Sequence, residues 1–263
     1  MQLDIVVLTK DNLVELASTL RSIPCPSLHL KIRVIVVDGS RSSDRVISLL
    51  RSPANAGIFT EYVNSYSLGV YGIYPCMNLA LQRVRSDWFI FMNSGDYFSP
   101  NFKFESVTHL LGDPLVNIVF GQAIVHGSDA RTSCAWVVPC PRIKNIKHWL
   151  RYFEPCHQAM FVRGYLANTY SFDIGCPIGS DALWKRKLLS NEPFAYHMSL
   201  VCIFTLGGLS TTYTYKNLLI KLSEASRRPI EKIMEIIKYL LFGMGLMSPR
   251  LQMLKSEAIG RLF

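Results

Sequence analysis

The chain is predicted to fold as an α/β protein, a mostly parallel sheet sandwiched between helices, with a short helical extension at the C-terminal end. Three observations predict it. Apolar runs rich in β-branched residues alternate with segments of helical period over the first hundred residues. These runs end in small polar residues, at Thr9, at Asp38 and at Asn93–Asp96. The composition, 49% hydrophobic and 18% charged over 263 residues, supplies one sizeable core and is far from that of a disordered chain. Strands alternating with helices build βαβ units, and the resulting sheets bind ligands beyond the carboxyl ends of their strands.

The elements follow in order. "LDIVVLT" at 3–9 is a buried strand. "DNLVELASTLRSI" then sets Leu13, Leu16, Ala17 and Leu20 on one helical face, with Asp11 or Asn12 placed to cap it. "KIRVIVVD" is a second buried strand ending at Asp38, and Ser43 or Asp44 caps the helix "RVISLL". A turn at Ala54–Gly57 leads to a third strand near "IFTEYV". "YPCMNLALQRV" reads as a helix opened by Pro75, and "WFIFM" as a fourth strand. Beyond Pro100 the pattern loosens. "NIVFGQAIVHG" and "HQAMFVR" read as strands, residues 127–150 as loops, and "SDALWKRKLL" as a helix capped by Ser180. In "PIEKIMEIIKYLL", Ile230, Ile233, Met234, Ile237, Leu240 and Leu241 share one face, with Glu231, Lys232, Glu235 and Lys238 off it.

Several function classes are excluded. "LTKDNLVEL" has no glycine after the first strand, so neither a dinucleotide-binding oxidoreductase nor a nucleotidyltransferase with a glycine-rich phosphate loop fits. Seven cysteines without a CxxC pair read as reduced thiols. "MQLDIVVLTK" lacks the basic and apolar regions of a signal peptide, and no run of about 18 apolar residues follows. The expected location is therefore the cytoplasm or the inner face of the cell membrane. The formal charge is +9, and residues 216–263 hold nine Lys or Arg against four Glu. This excess sits in an amphipathic tail and is not interleaved with aromatics along a face. That pattern argues against nucleic acid, and suits either an anionic membrane surface or packing on protein. A homo-oligomer is allowed.

The strand-and-turn series "VVLTKDN" (6–12), "VIVVDGSRSSD" (34–44), "GIYPCMNLAL" (72–81) and "FIFMNSGDYFSP" (89–100) resembles the family 2 glycosyltransferases, enzymes of GT-A fold. "HQAMFVR" (157–163), "SDALWKR" (180–186) and "GGLS" (207–210) extend the resemblance to about residue 210. It implies a transferase domain over 1–210, with donor binding in 1–100 and acceptor binding in 101–210, followed by a basic extension over 211–263. It implies an inverting transfer from a UDP-, GDP- or dTDP-sugar to a glycan or lipid-linked acceptor in cell-surface polysaccharide synthesis.

The resemblance also assigns roles. Thr9 and Asp38 match nucleoside-contacting positions, and Asn78 and Asn93 stand on the donor side. Asp96 matches the aspartate that holds Mn²⁺ or Mg²⁺ on the donor diphosphate, chemistry suited to a hard cation with oxygen ligands. Asp181 matches the acceptor-side base, with Glu154 and Asp173 in reserve. His157 and Gln158 line the acceptor side, where Trp184 would stack on an acceptor sugar. The chain departs from the family at Asn93 and Gly95, where acidic residues are common, at Pro75, where an aspartate is, and at Leu79, where a lysine is. These departures support an alternative, a degenerate GT-A protein that binds nucleotide or a partner without turnover.

Overall fold

The structure is a computed structural model; it describes residues 1–26, 29–52, 59–127, 135–139, 143, 145–151, 153–206, 214–223, 232, 233, 235–237, 239 and 240. The expected α/β architecture is present. Strands β1 (Gln2–Thr9), β2 (Lys31–Asp38), β3 (Phe59–Asn64) and β4 (Trp88–Phe91) run parallel in the order β3-β2-β1-β4. Helices α1 (Leu13–Arg21), α2 (Asp44–Leu50) and α3 (Ile73–Leu81) connect them. The central strands are apolar on both faces past the Asp4–Arg33 pair because helices cover both, and Ile5, Val6, Val7, Val34, Ile35 and Val36 are fully buried. Asn12 caps α1, its side chain accepting from the Glu15 N–H, and Leu16 and Leu20 seat that helix on the sheet.

The second half extends the same sheet with mixed pairings. Strands β5 (Tyr97–Phe98), β6 (Ile118–Gly127), β7 (Ala135–Val138), β8 (Met160–Arg163) and β9 (Phe194–Leu206) give the order β4-β8-β6-β9-β5, with β7 paired to β6. Pairs β4–β8, β8–β6, β6–β7 and β9–β5 are antiparallel, whereas β6 and β9 are parallel. Helices α4 (Glu105–Leu111), α5 (Ile146–Trp149) and α6 (Ser180–Asn191) cover this part, and α7 (Tyr215–Ser223) begins the extension.

Some expectations change here. Residues 127–150 are not all loop, since β7 and α5 lie within them. Helix α6 starts from Gly179, at φ 97°, and Ser180 is its first residue with no capping bond. Helix α3 opens at Gly72, at φ 96°, and Pro75 sits inside its first turn, where no N–H is needed. Strand β9 was not expected, because "YHMS" interrupts its apolar pattern. The turn at Ala54–Gly57, the stretch 207–210, and Ile230, Met234 and Leu241 lie outside the described residues. The five described cysteines, 25, 76, 156, 176 and 202, are free thiols. Among the described residues no helix is long and apolar enough to cross a membrane.

Candidate functional site

Parallel register brings the polar strand ends together. Thr9 pairs with Asp38 and Asp38 with Asn64, while Ser94 N–H donates to Leu8 O just beyond β4. Two cavities open along this rim, of about 740 Å³ and about 680 Å³, and they share Glu15, Ile73, Asn93 and Ser94. Volumes of this size suit a small-molecule ligand.

The smaller cavity runs over the ends of β1 and β2 and is lined by Thr9, Lys10, Asp11, Arg41, Tyr66 and Tyr71 among others. Asp38 sits behind its wall, fully buried. One carboxylate oxygen accepts from the Ser40 N–H and the other from the Tyr62 hydroxyl, both at 2.8 Å. Asp38 therefore shapes the 39–41 loop, while Gly39 and Arg41 face the cavity. Arg41 Nε donates to the Tyr66 hydroxyl at 2.8 Å, and the edge of Tyr71 meets Tyr66 at 5.5 Å. This aromatic ledge can stack on a planar ring. It went unread in the sequence, although "SYSLGVYG" directly follows β3.

Asp96 lies at the junction side of the larger cavity and is only 6% exposed. Its carboxylate accepts from Gln158 Nε2 at 2.7 Å and from the Thr205 N–H at 3.2 Å. Burial pushes this carboxyl up to about 7, against the lowering effect of those two donors, and the nearby Glu15 charge adds to the rise. Helix α1 grips the turn. Thr19 Oγ1 donates to Asp96 O and accepts from the Gly95 N–H. One helical turn earlier on the same face, the Glu15 carboxylate lies 3.2 Å from where a Cβ on Gly95 would stand. Gly95, at φ 95°, thus leaves room that a carboxylate from another element fills.

Asp181 faces the same cavity from the first turn of α6. The Tyr74 hydroxyl donates to its Oδ1 at 3.0 Å and itself accepts from the Gly179 N–H. Lys185 Nζ and His157 Nδ1 each stand 3.7 Å from Oδ2. Burial alone would raise this carboxyl, but Lys185 and the other neighbours hold it below the usual carboxylate range. His157 is pushed down to about 4, chiefly by burial and further by Lys185, against the pull of Asp181. It is neutral at pH 7, so its contact with Asp181 is that of a dipole and not of an ion pair. Its Nε2 lies 3.4 Å from Asn93 Nδ2, and its Nδ1 is the nitrogen turned to Asp181. His157 so bridges the β4 turn and the α6 carboxylate.

The other expected residues divide between cavity and core, Gln158 and Glu154 lining the larger cavity. Gln158 is buried and spends its amide on Asp96 and on the Cys156 thiol, whose Sγ donates to Oε1. Trp184 is core: it stacks on Phe172 at 4.8 Å and donates to Tyr170 O, because its α6 face packs inward with Leu188. Asn78 pairs both ways with the Phe172 backbone and lines neither cavity. Glu154 lines the larger cavity in an ion pair with Arg186, whereas Asp173 is exposed and caps the Gly175 N–H. Glu15 and Lys185 were missed in the sequence. Lys185 was legible as the i+4 neighbour of Asp181, whereas Glu15 looked like an ordinary first-turn acid.

The donor set at the turn fits a hard cation only in part. Among the described residues no group of three or more His, Cys, Asp or Glu could hold a metal alone. Asp96, Glu15 and Asn93 Oδ1, a buried oxygen without a hydrogen-bond partner, offer oxygen ligands around the junction. That matches a magnesium-like ion, which takes one or two carboxylates and completes its shell from substrate phosphates and water.

Comparison with known proteins gives the family and the fold. The family model described as "Glycosyl transferase family 2" matches residues 4–169. Among solved structures, S. aureus TarS superposes with a TM-score of 0.57 at 16% identity, covering 91% of this chain and 43% of that one. Its 1–349 fragment in complex with UDP-GlcNAc gives 0.55 at 16% identity, over 91% and 72% of the two chains. The mannosyltransferase PcManGT from Pyrobaculum calidifontis, in complex with GDP-Man and Mn²⁺, gives 0.56 at 15% identity, over 98% and 73%. The chain spans less than half the length of full TarS. No curated protein sequence matches it.

Proposed function

The chain belongs to glycosyl transferase family 2, and on that premise we propose that it transfers a sugar, with inversion, from a nucleotide-sugar to a glycan or lipid-linked acceptor in cell-surface polysaccharide synthesis. The observation that carries this reading is the meeting of two cavities at the Asn93–Asp96 turn, with Asp181 facing the larger one. In the smaller cavity the Tyr66–Tyr71 ledge, Thr9 and the 39–41 loop take the nucleoside. The diphosphate then lies at the shared Glu15, Asn93 and Ser94, and the sugar points into the larger cavity.

Asp181 serves as the base. It takes the proton of the acceptor hydroxyl as that oxygen attacks the anomeric carbon and the nucleoside diphosphate departs from the opposite face. Lys185 keeps Asp181 ionised, and the Tyr74 hydroxyl with neutral His157 orients it. Asp96, with Glu15 and Asn93 Oδ1, would hold Mn²⁺ or Mg²⁺, which would offset the charge of the leaving diphosphate. Gln158 and Thr205 fix the Asp96 carboxylate for that task.

Calorimetric binding of UDP, GDP and dTDP, with and without Mn²⁺, tests the donor half. UDP and GDP come first because the TarS fragment is solved with UDP and the mannosyltransferase with GDP-Man. One nucleotide should bind only with metal, and Asp96→Ala and Glu15→Gln should each weaken that binding. Binding that ignores both substitutions and the metal removes the metal role from this turn. Tight nucleotide binding with no turnover of any sugar donor favours the degenerate reading, to which Asn93, Gly95 and Pro75 point.

A further inference from the structure

The described residues of the extension turn polar side chains inward. Helix α7 buries Asn217 and Lys221, four residues apart on one face, and exposes Tyr215 and Leu219. The described residues between 232 and 240 are helical and do the same. Glu235 is buried and accepts from Lys221 Nζ at 2.9 Å, whereas Ile233, Ile236, Ile237 and Leu240 are 39% to 54% exposed. Their spacing, i, i+3, i+4 and i+7, makes a single apolar stripe. A helix that meets only water has no reason to bury an ion pair and expose branched aliphatics, since burying charge is the costlier choice. Single exposed apolar residues are ordinary, but a contiguous stripe marks a surface that something covers.

Charge identifies what covers it. Lys221 and Glu235 neutralise one another, which leaves eight of the nine Lys or Arg against three of the four Glu over 216–263. A second copy of the chain would meet this excess with its own. We propose that the stripe docks on an anionic lipid bilayer, with the helices lying in the interfacial plane and basic residues at the headgroups. The inference rests on the extension alone and not on the transfer reaction.

The test is flotation of the full chain with vesicles of phosphatidylcholine, and with vesicles of phosphatidylcholine mixed with phosphatidylglycerol. Binding is expected to the mixed vesicles and not to the neutral ones. Lys216→Gln with Lys232→Gln should weaken partitioning about 25-fold, since each basic residue at the surface contributes about fivefold. Ile233→Ser with Ile237→Ser should abolish flotation while the chain stays folded by its thermal midpoint, because the two residues are 52% and 42% exposed. Leu240→Trp should show a blue-shifted emission on the mixed vesicles only, a gain of signal that does not depend on loss of binding. Equal binding to both vesicle types overturns the proposal, as does binding to neither. A dimer in solution that the serine variant dissociates overturns it in favour of a second copy.

Discussion

Replacing Asp96 with asparagine should stabilise the metal-free protein, and increasingly so as pH rises. The folded carboxyl sits at about 7, raised mainly by burial, whereas its ordinary value is 3.8. Between those values the unfolded chain has released a proton that the folded chain keeps. Stability from this group is therefore fully present below the lower value and is lost as pH rises through the upper one. The whole gap corresponds to about 4 kcal/mol, of which about 2–3 kcal/mol falls between about pH 5 and pH 8. Asparagine carries no such proton, so the difference in unfolding free energy between variant and native protein isolates this contribution from all other titrations. Urea unfolding followed by tryptophan fluorescence, with a chelator present, measures it. The Asp96→Asn variant should gain about 2–3 kcal/mol on the native protein over that pH range. Mn²⁺ with the cognate nucleotide should then stabilise the native protein and not the variant. A difference that stays flat with pH would refute the reasoning, because the carboxylate would then be ionised and solvated in the folded state.

Asp181→Asn should lower kcat by roughly 10²–10⁴-fold while calorimetric nucleotide binding stays unchanged. Lys185→Met removes the cation that most lowers the Asp181 carboxyl, so the acidic limb of the kcat/KM profile should move to higher pH, and Lys185→Arg should restore it. Gly164→Ala tests the frame: its Cβ would stand 1.9 Å from Ser86 O, so chemical denaturation should show a loss of about 1–3 kcal/mol or more with no change in nucleotide specificity.

Legibility in the sequence followed how local each signal is. The strands β1, β2 and β4 are continuous apolar runs because both faces of a parallel strand are buried. Their ends announced the rim, since a strand that stops at small polar residues must deliver them to its carboxyl edge. Strand β9 hid because its register against β6 shifts between Tyr196 and Cys202, so no single period describes it. The helices give the sharper lesson. Trp184 and Lys185 are adjacent on α6, yet the tryptophan enters the core and the lysine faces the cavity beside Asp181. Helical spacing could rank Lys185 as a partner of Asp181, but which side of α6 met the sheet was decided by packing against Phe172, with Leu188 on the same inward face.

The same ambiguity governs Glu15 and the C-terminal stripe. Glu15 looks like a first-turn acid favoured by the helix dipole, and only the absence of a side chain at Gly95, far along the chain, turns it into a neighbour of the Asn93–Asp96 turn. The missing side chain at Gly95 and the Glu15 carboxylate beside it are thus one feature seen from two places in the chain. In the extension the apolar face was legible from its period, but period alone cannot tell a face that packs from a face that waits. Among the described residues the buried Lys221–Glu235 pair shows that the polar face is the one that meets protein.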